Sequence, residues 1–315
     1  MRAITVSEYG ATPAVTDVPK PEPGPRQVLI KIRAAGMNPM DQKIADGVWK
    51  ARVPGTFPMV LGVDVAGVVE AVGKDETKFS RGDEVFGQLF ISPLGSAGTY
   101  AEYVAVTQNA PLARVPKNLD ATVAASLPTA GVTALSIAES LSPLSDKKVL
   151  IVGAGGGVGS FFTQFAAKAG AYVIANARAS TASRMRSYGA AETIDHTAVS
   201  LPNEVRRAHG DGIDVLVDVA SDADAFAALA SLVRAGGTAL TTKYVADLTA
   251  LAKAGIKGVN FSVEVTPELL QRLADSVASG RIVPPPITRV KLDDVPIALT
   301  QAATGHADGK TVITP

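Results

Sequence analysis

A chain of 315 residues, 47% hydrophobic and 19% charged, can bury more than one core and is not disordered. Thirty basic and thirty acidic residues cancel and form no basic stripe, which argues against a nucleic-acid partner. The absence of cysteine removes disulfides, thiolate nucleophiles and thiolate-bound zinc together.

No apolar run approaches the length of a membrane span, so no membrane partner and a cytoplasmic location are expected. The three histidines are His196, His209 and His306, so a Ser-His-Asp hydrolase in the first 195 residues is excluded. Each histidine sits among turn-forming neighbours, and an exposed loop or helix end is expected for all three.

From residue 1 to about 120, short β-branched runs alternate with Pro/Gly punctuation. Strands are predicted at Gln27–Ile32, Val60–Val72, Glu84–Phe86 and Tyr100–Val106. This spacing implies a partly closed β-rich lobe rather than a parallel sheet. Ala121–Leu141 reads as helix interrupted around Pro128. From Lys148 the pattern becomes strand–helix repeated, with strands at Val149–Val152, Ala171–Asn176, Ile213–Val217, Thr238–Thr242 and Ile256–Phe261. Helices fall between them at Val158–Ala169 and Ser180–Tyr188. Such repeats imply an α/β fold with a doubly wound parallel Rossmann sheet. After a helix at Pro267–Ser279 the tail is too short for a third domain and is expected to rejoin the first lobe. The division is therefore 1–121 with 263–315 around a dinucleotide-binding domain at 122–262.

The strongest local motif runs from Val149 to Gly159, where Val152 leads into Gly153-Ala154-Gly155-Gly156-Gly157-Val158-Gly159. It follows a buried strand and opens a helix, the position from which backbone N–H groups and a helix N-terminus receive a pyrophosphate. The usual glycine spacing is offset, with Ala154 in the first slot and Gly156 and Gly159 in the others. At the end of the next strand an NAD site carries an acid for the ribose 2′-hydroxyl. Here Ala177 occupies that slot and Arg178 follows, with Arg184 and Arg186 on the next helix. Cations without a carboxylate fit a 2′-phosphate, so NADPH is the expected cofactor.

With that loop placed, the flanking segments become readable: Ala34 to Asp41, Leu61 to Gly73, Arg81 to Gly87, Gly98 to Tyr103, Ala130 to Ala134, Asp218, Gly236-Gly237 and Gly309 to Val312. In this order they resemble the medium-chain dehydrogenase/reductase superfamily, and within it the zinc-independent quinone oxidoreductase branch. The resemblance implies a GroES-like catalytic domain beside the Rossmann domain, a nicotinamide bound in the cleft between them, and a homodimer, with a sheet edge at Thr238–Lys243 as the expected seam. In the zinc-dependent cousins two Cys and one His hold the metal. The matching positions here are Asn38, Val63 and Ala130, so no metal site is expected. Without a Lewis acid, a quinone or other conjugated carbonyl is a better hydride acceptor than a simple carbonyl couple, because its own oxygen takes up the charge.

The resemblance also implies roles. Asn38 and Thr133 line the nicotinamide and its ribose, and are the candidate catalytic residues. Gly156, Gly157, Val158 and Gly159 form the pyrophosphate loop. Asn176, Arg178 and Arg184 belong to the adenosine-phosphate edge, and Asn260 and Phe261 to the strand end beside the nicotinamide. Asp41, Trp49 and Asp64 are candidates for the substrate side, with a helix cap as the other reading of Asp41 and a buried structural acid as that of Asp64. The expected activity is NADPH-dependent reduction of a quinone or related enone by proximity in a dry cleft, with water as proton source. Two alternatives stand beside it. One is a 2-alkenal or enone reductase without quinone activity. The other is a low-turnover NADPH-binding redox sensor, suggested by the unusual Asp218–Ser221 and Thr241–Lys243 segments.

Overall fold

The computed structural model describes residues 1–303 and 308–315, and His306 lies outside the described residues. Two compact units are present: Met1–Val132 with Val265–Pro315, and Thr133–Glu264. Among the described residues no helix is long and apolar enough to cross a membrane.

The first unit is built mainly on antiparallel strands, with one parallel pair between Ile287–Lys291 and Lys310–Thr314. Its larger sheet runs, in spatial order, Ile287–Lys291, Lys310–Thr314, Gln27–Gly36, Asp64–Val72, Glu84–Gln88 and Leu112–Arg114, and Tyr103–Thr107 also pairs with Gln27–Gly36. Alternation in the long central strand buries Val28, Ile30 and Ile32 against Val65, Val69, Val85, Val104 and Leu112. The stretch Val60–Val72 is two strands, Met59–Val60 and Asp64–Val72, because Gly62 turns the chain at φ +91° between them. The tail rejoins this unit through Lys310–Thr314, whose Val312 and Ile313 face Gly36 and Ala35.

The second unit is a six-stranded parallel sheet. Its spatial order is Glu192–Ile194, Tyr172–Asn176, Lys148–Val152, Ile213–Asp218, Val233–Thr241 and Lys257–Asn260. The chain winds outward from Lys148–Val152 in one direction and then returns to wind in the other, the doubly wound topology with its switch point between Lys148–Val152 and Ile213–Asp218. The continuous apolar run Val149–Val152 is buried because helices cover parallel strands on both faces. Sequence periodicity does not single out the short strand Glu192–Ile194 or the helices Leu201–Ala208, Ala223–Ala230 and Leu248–Lys253. Each offers too few residues for a period to be read.

One expectation is corrected by the register. Thr238–Thr241 is not a sheet edge, because it pairs with Val215–Asp218 on one side and Lys257–Asn260 on the other. The open edge on that side is Lys257–Asn260, within the strand predicted at Ile256–Phe261; local pattern shows the strand but not its place in the sheet order.

Candidate active site

In the second unit, Gly153 turns the chain out of its strand in the left-handed region at φ +81°, so the tight-turn glycine stands one residue before the slot that Ala154 occupies. Gly156 caps the helix Gly157–Lys168. The first N–H with an acceptor one helical turn back is that of Ser160, donating to Gly156 O at 2.9 Å. The N–H groups of Gly157, Val158 and Gly159 precede it and are the donors a helix start leaves for an anion. The two glycines do different work. A Cβ on Gly159 would lie 2.3 Å from Gly153 O, so its bare Cα lets the helix pack on the loop. A Cβ on Gly156 would meet nothing nearer than Gly153 O at 3.5 Å and would project into open space. That open cradle beside N–H donors is shaped for a pyrophosphate, and the residues present fit a dinucleotide.

The neighbouring strand end sorts the basic residues. Arg184 Nη2 donates to Gly155 O at 3.0 Å, which fixes its guanidinium beside the loop. Arg186 turns away to Thr193 Oγ1 at 2.8 Å. Arg178 is half-buried at the start of the helix Ala179–Ser187. Ala177 is buried, and Asn176 Nδ2 donates to Ile194 O at 3.2 Å and to the exposed His196 ring at Nδ1, 3.1 Å. An acid that the sequence does not single out, Asp195, also reaches this edge. Its carboxylate accepts the Ala179 N–H at 2.7 Å and both the N–H and hydroxyl of Thr197, which hold it below the usual carboxylate range. The first of these bonds satisfies the leading N–H of the Ala179–Ser187 helix from a neighbouring loop. His209 ends its helix as expected but is buried rather than exposed, 3.3 Å from Glu192 Oε2.

Asn260 uses both ends of its carboxamide on one residue: Oδ1 accepts the Ala246 N–H at 3.0 Å and Nδ2 donates to Ala246 O at 3.1 Å. It clamps the loop that contains Tyr244, a non-glycine residue at φ +61°. Phe261 is half-buried and its N–H continues to Thr241 O. Asn260→Ala should therefore lower the unfolding free energy by roughly 2 kcal/mol, one for each bond, and speed proteolysis between residues 242 and 247. Unchanged cleavage there would contradict the clamp.

In the first unit, the fold assembles a buried polar cluster from five distant stretches of sequence. Gly36 faces Asp64 on one side and Val312 on the other, so Asn38 and Lys310, each two residues along, come opposite one another. Asn38 Nδ2 donates to Asp64 Oδ2 at 2.8 Å and to Gly36 O at 3.3 Å. Lys310 Nζ donates to Asn38 Oδ1 at 2.6 Å and Met37 O at 2.7 Å, and stands 4.0 Å from Asp64 Oδ2. Asp64 also accepts the Thr129 N–H and, at 2.6 Å, its hydroxyl, placing a carboxylate at the positive end of the helix Pro128–Ser140. Thr133 lies one turn further along that helix.

Asp41 occupies the cap position that sequence chemistry allowed for it. Its Oδ2 accepts the Asn38 N–H at 2.7 Å, at the start of the helix Pro39–Ala45, and the Tyr100 hydroxyl at 2.6 Å. Asp41 and Asp64 are both fully buried, so they stand behind Asn38 (5% exposed) and form no wall of their own. Burial pushes Asp41 up to about 7 and raises Asp64, while burial lowers Lys310 and holds Tyr100 well above its ordinary value. Val63 and Ala130 are buried and apolar. Trp49 packs edge-on to Phe90 at 5.9 Å, with Phe90 37% exposed. Among the described residues no three His, Asp or Glu side chains gather as a metal-holding group.

Sequence reasoning assigns no role to Lys310, Tyr100 or Thr129. The signal for Lys310 was a cation alternating with Val312 in a short buried strand, a position a solvated lysine does not take.

Comparison with known proteins gives a consistent family. Residues 24–117 match the alcohol dehydrogenase GroES-like domain and residues 188–313 match the family described as zinc-binding dehydrogenase. The whole chain is 33% identical to 2-methylene-furan-3-one reductase of Solanum lycopersicum, covering 79% of that protein. It is 32% identical to the chloroplastic NADPH-dependent alkenal/one oxidoreductase of Arabidopsis thaliana, covering 80%. Among solved structures, the quinone oxidoreductase of Coxiella burnetii superposes with a TM-score of 0.87 at 26% identity, covering 100% of this chain and 99% of that one.

Proposed function

Because this chain belongs to the medium-chain dehydrogenase/reductase superfamily, with quinone oxidoreductases among its homologues, we propose that it is a zinc-free, NADPH-dependent reductase of a quinone or related conjugated carbonyl. The observation that carries this reading is the open cradle at Gly156, with Arg184 fixed beside it and buried Ala177 where an NAD site keeps its acid. In this reading Gly156 to Gly159 hold the pyrophosphate, and Arg178 and Arg184 favour the 2′-phosphate. Asp195 keeps its negative charge at this edge and opposes a 2′-phosphate, and in this reading the two cations Arg178 and Arg184 outweigh it. Bound NADPH supplies the hydride. Asn38, Val63 and Ala130 offer zinc no usable ligand set, so the protein's part is to position and to exclude water.

The conjugated-carbonyl side of the proposal is supported by the two plant relatives, whose names describe enone and alkenal substrates. The quinone side is supported by the Coxiella structure. The substrate edge in this reading includes Trp49 and Phe90, and the working form is a cytoplasmic homodimer.

The test is loss of nicotinamide absorbance with NADPH or NADH against a quinone and an enone, with and without chelator. NADPH should be oxidised well ahead of NADH and the rate should survive chelation. Arg178→Ala should raise the NADPH KM by about ten- to a hundred-fold and leave that for NADH within about two-fold, since a charge-assisted bond to phosphate is lost only with NADPH. Equal losses for both cofactors would refute the 2′-phosphate role. NADPH binding without turnover on either substrate class would favour the redox-sensor reading.

A further inference from the structure

The Asn38 carboxamide has a fixed orientation that its own residue type does not dictate. Its two Nδ2 hydrogens are both consumed, one by Asp64 Oδ2 at 2.8 Å and one by Gly36 O at 3.3 Å. Its oxygen receives Lys310 Nζ at 2.6 Å and keeps one lone pair. A turned amide would set Nδ2 against the ammonium and Oδ1 against the Asp64 carboxylate, which are two repulsive contacts in a buried place. Lys310 itself is held by Met37 O, so its reach to Asn38 is set by the backbone.

From this geometry we propose that Lys310 is a positioning residue that makes Asn38 an acceptor only, so the ligand group that meets Asn38 is a hydroxyl donor and not a carbonyl oxygen. The inference rests on the reductase reading above and narrows it. The carbonyl oxygen of a quinone or enone finds no donor in Asn38, and electrophilic assistance comes from elsewhere. Two sources share the donor chemistry: a ribose hydroxyl of the dinucleotide, and the hydroxyl of a reduced, hydroquinone product.

The test compares the wild-type protein with Lys310→Met. Because that change leaves Asp64 buried without its counter-charge, the paired variant D64N/K310M, which removes both charges, is measured as well. The first readout is solvent exchange of the Asn38 side-chain amide protons by NMR in the ligand-free protein. Exchange should be slow in the wild type and at least about ten-fold faster in both variants, because the charge-assisted bond to the amide oxygen is gone. The second readout is the Kd of NADPH and the inhibition constant of a hydroquinone. One of them should rise by about ten-fold, and the loss should fall on that binding constant more than on kcat. A rise in the NADPH constant assigns the donor to the ribose, and a rise in the hydroquinone constant assigns it to the product. Unchanged amide exchange, or two unchanged binding constants, overturns the inference. A wild-type protein that binds no NADPH overturns the reading it rests on, while the amide readout still decides whether Lys310 holds Asn38.

Discussion

Gly159→Ala should cost the protein stability and NADPH binding together, whereas Gly156→Ala should lose NADPH from a protein that folds normally. A methyl at Gly159 would stand 2.3 Å from Gly153 O and 2.6 Å from Ala154 Cα, and both are backbone atoms that cannot swing aside. The helix Gly157–Lys168 must then back away from the loop, at a cost of about 1–3 kcal/mol or more. Its open N–H groups move with it. At Gly156 the backbone is extended, at φ −78° and ψ −177°, so alanine is unstrained there. Its methyl meets Gly153 O only at 3.5 Å and fills the space that a pyrophosphate would enter. Urea midpoints and NADPH affinity, read on both variants, separate packing from binding. The expected pattern is a lowered midpoint for Gly159→Ala alone and at least ten-fold weaker binding for both, a change of about 1.4 kcal/mol. Tight NADPH binding by Gly156→Ala would remove the cradle from the site.

These two glycines also mark how far sequence reasoning reaches. Strand, glycine loop and helix are contiguous, so the loop and its sheet could be read from Val149 to Gly159 directly. Which glycine supplies the turn could not, since the left-handed residue is Gly153 and spacing alone favoured the slot at Ala154. Arg184 and Arg186 stand two residues apart on one short helix, and the resemblance rather than local pattern assigns Arg184 to the phosphate edge. Only the fold sends one to Gly155 O and the other to Thr193. The cluster around Asn38 was least legible. It joins residues 38, 64 and 310 through antiparallel register and residues 41, 100 and 129 through side-chain hydrogen bonds, and no local pattern states that Gly36 faces both Asp64 and Val312. Composition shows that cysteine is absent and histidine scarce; it does not show that a lysine late in the sequence takes a place beside Asn38.

That cluster should give the protein a pH dependence traceable to one side chain. Asp41 is fully buried, and burial raises it from 3.8 to about 7, with the Asp64 charge adding to the rise and the Tyr100 hydroxyl, the Asn38 N–H and Lys310 opposing it. Between roughly pH 4 and pH 7 the folded protein therefore keeps a proton that the unfolded chain has released. Stability is complete below the unfolded value and is lost as pH rises through the folded one, by about 4 kcal/mol over the whole window. Asp64, also raised, pulls in the same direction, while the lowered Lys310 acts in the alkaline range below its ordinary 10.5. Asp41→Asn keeps an oxygen to accept from Asn38 and Tyr100 but cannot ionise. It places an amide where Asp41 Oδ1 already lacks a partner, so its own cost of about 1–3 kcal/mol is independent of pH. In calorimetry the wild-type transition should fall by roughly 5 °C between about pH 5 and pH 8, and that of Asp41→Asn by much less. Two profiles that differ only by a constant offset would show that Asp41 is ionised across the range, and that the ammonium of Lys310, rather than a proton, balances the second carboxylate.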